Sequence, residues 1–427
     1  MNNISSLARQ AQTHLQAIAG AGNAVVKRSH VYELMAAALG LGSHATLKAH
    51  GLLCPLPSQP LLAHYGALHP GPCAARAETL GVARERCEPL AQALCADMAA
   101  KALGLVPWED ILGALLSGSR ELYRETPRDD KYYESLHAAL DDDPDAWPED
   151  PEPLRLESPF VCQALQKAAG QGEGRAHLAL GLLVERGARV DAGHQGGDDA
   201  EEDADMDDLP DSRAGLYGYE RQQKGEVLTG VELEWAEDYA ERVQRRAAAS
   251  RDLATRSSTA RDHFNAAAAL GQHDALLLLA DRYGDDRFFD LQAPQVRADP
   301  LWIADLAQRV GRYEWAPAWL ALAAERGDMR AMRELMESWQ AGDPVKVWTW
   351  FHYARLLGMD LTQGDYRAIH GDGSSYDDDV GGPMFVDGMD GVELPAVDES
   401  VRQETLRAAQ SLFARMKGDN GLLPSAQ

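Results

Sequence analysis

One short phrase is written three times in this chain. It runs through small residues to a glycine, then to an alanine four residues on and a leucine four after that. The copies are "AAGQGEGRAHLALGLLVERG" from Ala168, "AAALGQHDALLLLADRY" from Ala267 and "AAERGDMRAMRELMESW" from Ala323. Aligned on Gly172, Gly271 and Gly327, they bring Ala176, Ala275 and Ala331 into one column and Leu180, Leu279 and Leu335 into another. The glycine permits a tight turn between two helices. The alanine lets the second helix approach the first closely, and the leucine fills the space one turn further along. The phrase therefore predicts helix–turn–helix units. A fourth first-helix, "VKVWTWFHYARLLG", carries Trp350, Phe351, Ala354 and Leu357 before Gly358 without a clear second helix.

Composition agrees with helices. Of the 427 residues, 45% are apolar but only 7% aromatic, with alanine and leucine dominant. Those two residues lose little entropy in a helix, whereas strands favour β-branched and aromatic side chains.

The repeated phrases resemble Sel1-like repeats, relatives of the tetratricopeptide repeat. The matching stretches are "LQKAAGQGEGRAHLALGLL", "FNAAAALGQHDALLLLADRY", "WLALAAERGDMRAMRELMES" and the half-unit "VWTWFHYARLLG". The resemblance implies an all-α fold of helical hairpins stacked into an α-solenoid over 158–418, with adaptor or assembly work rather than catalysis. The glycine spacing is irregular for that family. One gap holds an acidic insertion at about 190–215 and a long helical stretch from about Gly230 to Arg256. A glycine- and aspartate-rich insertion covers about 361–398. The run "ESVRQETLRAAQSLFARMKG" reads as a closing helix, since the last repeat otherwise exposes its apolar face.

Ahead of the array, residues 1–50 read as a helical cap or docking module. Ser29 is placed to cap a helix through Val31, Leu34, Met35 and Leu39, and Ser43 a second short one. The proline-rich stretch 51–72 reads as a loop or linker. A helical region fills 51–140, led by one strong helix from about Ala74 to Leu103 and followed by a helix opened by Pro107 and Trp108. The acidic, proline-rich segment 141–157 reads as the boundary before the array.

The charge of −26, from 67 acids against 41 bases, disfavours nucleic acid and anionic membranes. No run of about 18 apolar residues suggests a membrane span. Five cysteines without an export signal suggest free thiols in a reducing cytoplasm.

Several local patterns invite chemistry and fall short of it. Gly170, Gly172 and Gly174 lack the spacing and the preceding strand of a dinucleotide fingerprint. His30, His44, His50, Cys54, His64, His69, Cys73, Cys87 and Cys95 are dense, but contain no C-x-x-C pair of the kind structural zinc uses. Cys54 beside His50 lacks a recognisable nucleophile context. The aspartate runs do not match a calcium loop.

No catalytic residue, cofactor or metal ligand is therefore assigned. The function expected is a non-enzymatic scaffold or adaptor that binds a partner protein, drawn by its basic surface, on the concave face of the solenoid. Partner-binding candidates are Arg261, Asn265, Trp315, Trp319, Trp348 and His352. Six of the nine tryptophans lie between 302 and 350, divided on this reading between packing and an aromatic groove. Two alternatives stand beside it. One is an enzyme whose site is assembled from distant helices. The other is a nucleic-acid-linked regulator using residues 25–50, where Lys27, Arg28 and Lys48 are locally basic.

Overall fold

A computed structural model describes residues 4–19, 26–123, 151–193, 213–292, 294–370, 374–376 and 383–420. The acidic insertion expected at about 190–215 and the segment 141–157 fall largely outside them. The described chain is mostly helical and forms two compact units, Met1–Ala275 and Leu276–Gln427. This division differs from boundaries read at 51, 141 and 158.

The first unit opens with α1 (Ile4–Ala19), α2 (Arg28–Ala38) and α3 (His44–His50). Lys27, not Ser29, precedes the first turn of α2, and its side chain makes no capping bond. Ser43 does cap α3, accepting from the Thr46 amide at 3.1 Å. Strand β1 (Gly51–Pro55), α4 (Gln59–Tyr65), α5 (Pro70–Thr79), α6 (Arg84–Ala100), β2 (Leu103–Pro107) and α7 (Trp108–Ser117) follow.

Two expectations are corrected here. The stretch 51–72 is not a linker. Its prolines stand where a missing N–H is harmless: Pro55 ends a strand, and Pro60 and Pro70 occupy first turns. Between them β1 pairs antiparallel with β2, Leu53 opposite Leu105, and buries Leu52, Leu53 and Cys54. The helix expected over Ala74–Leu103 is two helices, broken at Gly81, whose φ of +86° suits glycine alone. α1, α2, α5 and α6 enclose the core of this part, around Leu15, Leu34, Leu90, Leu94 and Met98.

Strand β3 (Glu121–Leu122) pairs with β4 (Leu154–Arg155), so residues 154–155 are tied back to the first half rather than set apart from it. Then come α8 (Pro159–Ala169), α9 (Gly174–Gly193), α10 (Arg213–Gln223) and α11 (Val231–Ala269). α11 is one helix of 39 residues that absorbs the "FNAAAA" of the second phrase. α10 packs on its N-terminal end around Ala236, and α9 on its C-terminal end, where Gly181 lies against the ring of Phe264. From Glu241 to Thr259 nearly every side chain is exposed.

α12 (His273–Tyr283) spans the division between the units. The second unit continues through a 3₁₀ turn (Asp286–Asp290), α13 (Pro300–Arg309), α14 (Ala316–Glu325) and α15 (Met329–Glu334), which runs on as a π turn over Leu335–Trp339. α16 (Pro344–Leu356) lacks a second helix next in sequence. Its neighbour is α17 (Glu399–Asn420), which packs along it after the 361–398 insertion. The described parts of that insertion are docked rather than loose. Strands β5 (Arg367–Ile369) and β6 (Phe385–Asp387) pair, Leu361 and Val392 are buried, and the buried Arg333 guanidinium donates to the Asp390 carbonyl at 2.5 Å.

The turns of the repeated phrase share one geometry. Gly172, Gly271 and Gly327 have φ of +84°, +84° and +97°. In each, the residue after the glycine donates back to an alanine five positions earlier: Glu173 to Ala168, Gln272 to Ala267, Asp328 to Ala323, at 3.0–3.1 Å. This is the Schellman closure, which satisfies carbonyls a helix end leaves open. The same closure recurs at Gly40, Gly81, Gly225, Gly311 and Gly358. The alanine and leucine columns behave as expected. Ala176, Ala275, Ala331, Leu279 and Leu335 have no exposed surface, and Leu180 is buried.

Candidate functional site

In the second unit the 3₁₀ turn and α14 form a small apolar groove of about 220 Å³. Phe288 and Phe289 meet edge to face, with centroids 5.1 Å apart, and Phe288 lies 6.0 Å from Trp319. Both phenylalanines are buried and form the floor, while Trp315, Trp319 and Pro294 supply walls. Asp285 accepts from the Arg287 amide and fixes the turn that presents the two phenylalanines. The flank is acidic. Arg312 holds Asp286 at 2.7 Å and Asp290 at 2.9 Å, and Glu314 lies 3.7 Å away, so one cation faces three carboxylates.

The tryptophans between 302 and 350 divide by what their indole N–H groups do. Trp339 donates to Glu334, Trp348 to the Pro395 carbonyl and Trp350 to Gln340, at 3.3, 2.9 and 2.9 Å. These three serve packing. Trp302 borders a shallow depression with Asp281 and Arg309. Trp315 and Trp319 are the pair that faces the groove.

The other candidates are placed as follows. Trp348 is buried, with the Arg402 guanidinium 5.0 Å from its ring centre. His352 lies beside Trp348 and Phe351, each at 5.4 Å, and its buried Nε2 makes no hydrogen bond. Burial, then Arg355, pushes its imidazolium down from the usual histidine range. Arg261 and Asn265 lie one turn apart on α11 in the first unit, and the Asn265 amide donates to the Arg261 carbonyl at 3.0 Å. Between them in sequence, His263 meets His177 through Nδ1 atoms 3.0 Å apart. Burial first, then His177, lowers the affinity of His263 for a proton.

Sequence reasoning did not single out Phe288 and Phe289. The available signal was two adjacent phenylalanines in a chain that has only seven.

The early cysteines and histidines do not converge. Among the described residues no three His, Cys, Asp or Glu side chains are grouped to hold a metal ion. Burial pushes the thiols of Cys54 and Cys73 up to about 12, which leaves little thiolate for nucleophilic work. All five cysteines are free thiols. Among the described residues no helix is long and apolar enough to cross a membrane. No family model matches the chain, no curated protein matches it, and no solved structure matches it.

Proposed function

We propose that this chain is a non-enzymatic scaffold of Sel1-like helical hairpins that holds a partner protein, with the Trp315–Trp319 groove as an anchor point. One observation carries the reading: a single Schellman turn, with its glycine and in most cases its alanine, closes helix after helix in both units. Hairpins closed by their own backbone leave the outward helix faces available for recognition, which is how hairpin repeats serve as binding surfaces. The groove adds an aromatic anchor of the kind that dominates interface energetics. Its acidic flank, within a chain of net charge −26, favours a partner segment that is basic with an apolar side chain to insert. Five unpaired thiols support a reducing, cytoplasmic setting for this work.

The test is recovery of the tagged full chain from its native cells at low and moderate salt, beside the variant carrying Trp315→Ala and Trp319→Ala. Circular dichroism confirms that the variant keeps its helices. The expected result is one stoichiometric protein partner, weakened by salt and lost in the variant. A partner retained equally by the variant refutes the groove as anchor, and no enriched protein refutes the scaffold.

A further inference from the structure

Five exposed apolar side chains gather on one small structure in the second unit. Tyr366, Met384, Phe385, Val386 and Met389 are each between 49% and 66% exposed, and all lie on or beside strands β5 and β6. Neither strand buries a side chain. Two strands alone are marginal in water, so this pair is held by other means. Its base is fixed by main-chain bonds. The Val392 amide donates to the Leu361 carbonyl at 2.8 Å, and the Asp365 amide to the Met389 carbonyl at 3.2 Å. The Met389 amide donates to Asp365 Oδ1 at 2.6 Å. A Cβ at Gly391 would strike the Thr362 carbonyl, so the chain there lies backbone against backbone.

β5 is paired on both sides. On one side Arg367, Ala368 and Ile369 stand opposite Asp387, Val386 and Phe385. On the other, Ile369 bridges Ser375, and the Tyr376 amide donates to the Ala368 carbonyl at 3.1 Å. In antiparallel pairing a residue sends its N–H and C=O the same way, and successive residues alternate. Ala368 turns its groups toward Tyr376, so Arg367 and Ile369 turn theirs toward Asp387 and Phe385. Val386, between those two, faces away from β5. Among the described residues nothing takes up its N–H or C=O. β6 therefore presents an open main-chain edge with apolar side chains on both sides of it. Such an edge is a template for one more strand.

Charge selects the strand. Asp365, Asp387, Asp390 and Glu393 stand on this hairpin and its base, against Arg367 and the buried Arg333. The carboxylates have partners: Arg367 holds Asp387 at 2.8 Å, and Asp365 takes the Met389 amide. What counts is the net negative field, not an unpaired group. A second copy would bring the same acids to the same edge, whereas a basic strand is attracted.

We propose that β6 is a docking edge for an extended, basic segment of a partner protein, added antiparallel to it. The register then sets the segment's sequence. One apolar residue lies opposite Val386 and exchanges both main-chain bonds with it. The residue after it lies opposite Phe385 and is apolar. The residue before it lies opposite Asp387 and is basic. The motif is basic–apolar–apolar. This edge uses none of the residues of the Trp315–Trp319 groove and does not depend on the groove reading.

The probe is the fluorescein-labelled hexapeptide Lys-Arg-Val-Tyr-Val-Thr, titrated with the full chain and followed by anisotropy. The expected result is saturable one-to-one binding with Kd below about 1 mM. N-methylation of the valine after the arginine removes one main-chain donor and should weaken binding at least about fivefold. The acidic peptide Glu-Glu-Val-Tyr-Val-Thr should not saturate. Val386→Pro removes the outward N–H at an edge position, and should weaken the parent peptide at least about fivefold while circular dichroism shows the helices intact. Val386→Thr keeps that N–H and should bind within about twofold of the parent chain. The variant carrying Trp315→Ala and Trp319→Ala should bind unchanged. Sedimentation velocity should show a monomer. Failure to saturate, equal binding of the N-methylated or acidic peptide, or indifference to Val386→Pro would each overturn the proposal. Loss of binding in the tryptophan variant would assign the peptide to the groove and overturn it too. A dimer abolished by Val386→Pro would give the edge to a second copy instead.

Discussion

Replacing a mid-helix glycine by alanine ordinarily stabilises a helix by roughly 1 kcal/mol, because glycine carries more backbone freedom into the unfolded chain. Gly181 should do the reverse. It is buried on α9 where that helix meets α11, and a Cβ there would lie 2.5 Å from Cε1 and 2.7 Å from Cδ1 of Phe264. Carbon atoms in contact rest about 3.5–4.0 Å apart, so the two helices must separate by roughly 1 Å or the ring must leave its rotamer. Phe264 has no exposed surface. Overpacking of this kind costs about 1–3 kcal/mol. Set against the propensity gain, Gly181→Ala should destabilise by up to about 2 kcal/mol. For a unit of this size that is a fall in Tm of up to about 8 °C. Thermal denaturation followed by circular dichroism or calorimetry gives the answer. Phe264→Leu supplies the control: if the ring is the obstacle, the double variant should be less destabilised than the sum of the single ones by about 1 kcal/mol. A Tm for Gly181→Ala at or above that of the parent would refute the reasoning, and so would simple additivity.

Other perturbations test other parts of the molecule. At Gly271 an added Cβ meets no atom within 4 Å, so Gly271→Ala isolates the backbone term of its φ of +84° and should cost about 1–2 kcal/mol in a chemical denaturation curve. Arg333→Ala removes the charged donor that ties α15 to the Asp390 carbonyl, and should lower stability by about 1.5–3 kcal/mol while speeding proteolysis within 361–398. His44, His263 and His352 all bind protons less readily than ordinary histidines, chiefly through burial. The unfolded chain therefore takes up protons first as pH falls below about 6.5, and stability should drop from that point, less steeply in His352→Leu. A loss confined to pH below about 4 would instead implicate Asp360, Asp365 and Asp398, whose carboxyls hydrogen bonds hold below the usual range. Thiol titration at pH 8 should modify at most Cys95 and Cys162 in the native chain, and all five cysteines in denaturant.

The glycine turns that close the helices were legible because their chemistry is local. A glycine in the left-handed region, a small residue behind it and a buried leucine ahead all fall within a dozen positions of one another. A finer signal was also present. Alanine stands four residues before Gly40, Gly81, Gly172, Gly271, Gly311, Gly327 and Gly358. Reading that offset would have found the break between α5 and α6, which the apolar periodicity through Leu80 and Val82 concealed. The β1–β2 pair was not legible. Its strands lie some 50 positions apart, and each ends in a proline that reads as a breaker when its partner is unknown. The tryptophans resisted for a related reason. Trp315 and Trp348 lie in similar sequence, but Trp348 is buried and its indole nitrogen meets a distant carbonyl, that of Pro395, which no local pattern foretells.

The exposed middle of α11 has a mechanical consequence. At about 1.5 Å per residue, its 39 residues make a rod of about 58 Å, gripped near Ala236 and again near Phe264. Between the grips, helix–coil energetics and surface pairs such as Arg256–Asp252 at 2.8 Å do the stabilising, with little burial to help. A pull along the rod would meet its weakest link in that span, which can fray and lengthen while both gripped ends stay folded. The helix is thus built to act as a strut under small loads and as an extensible tether under large ones.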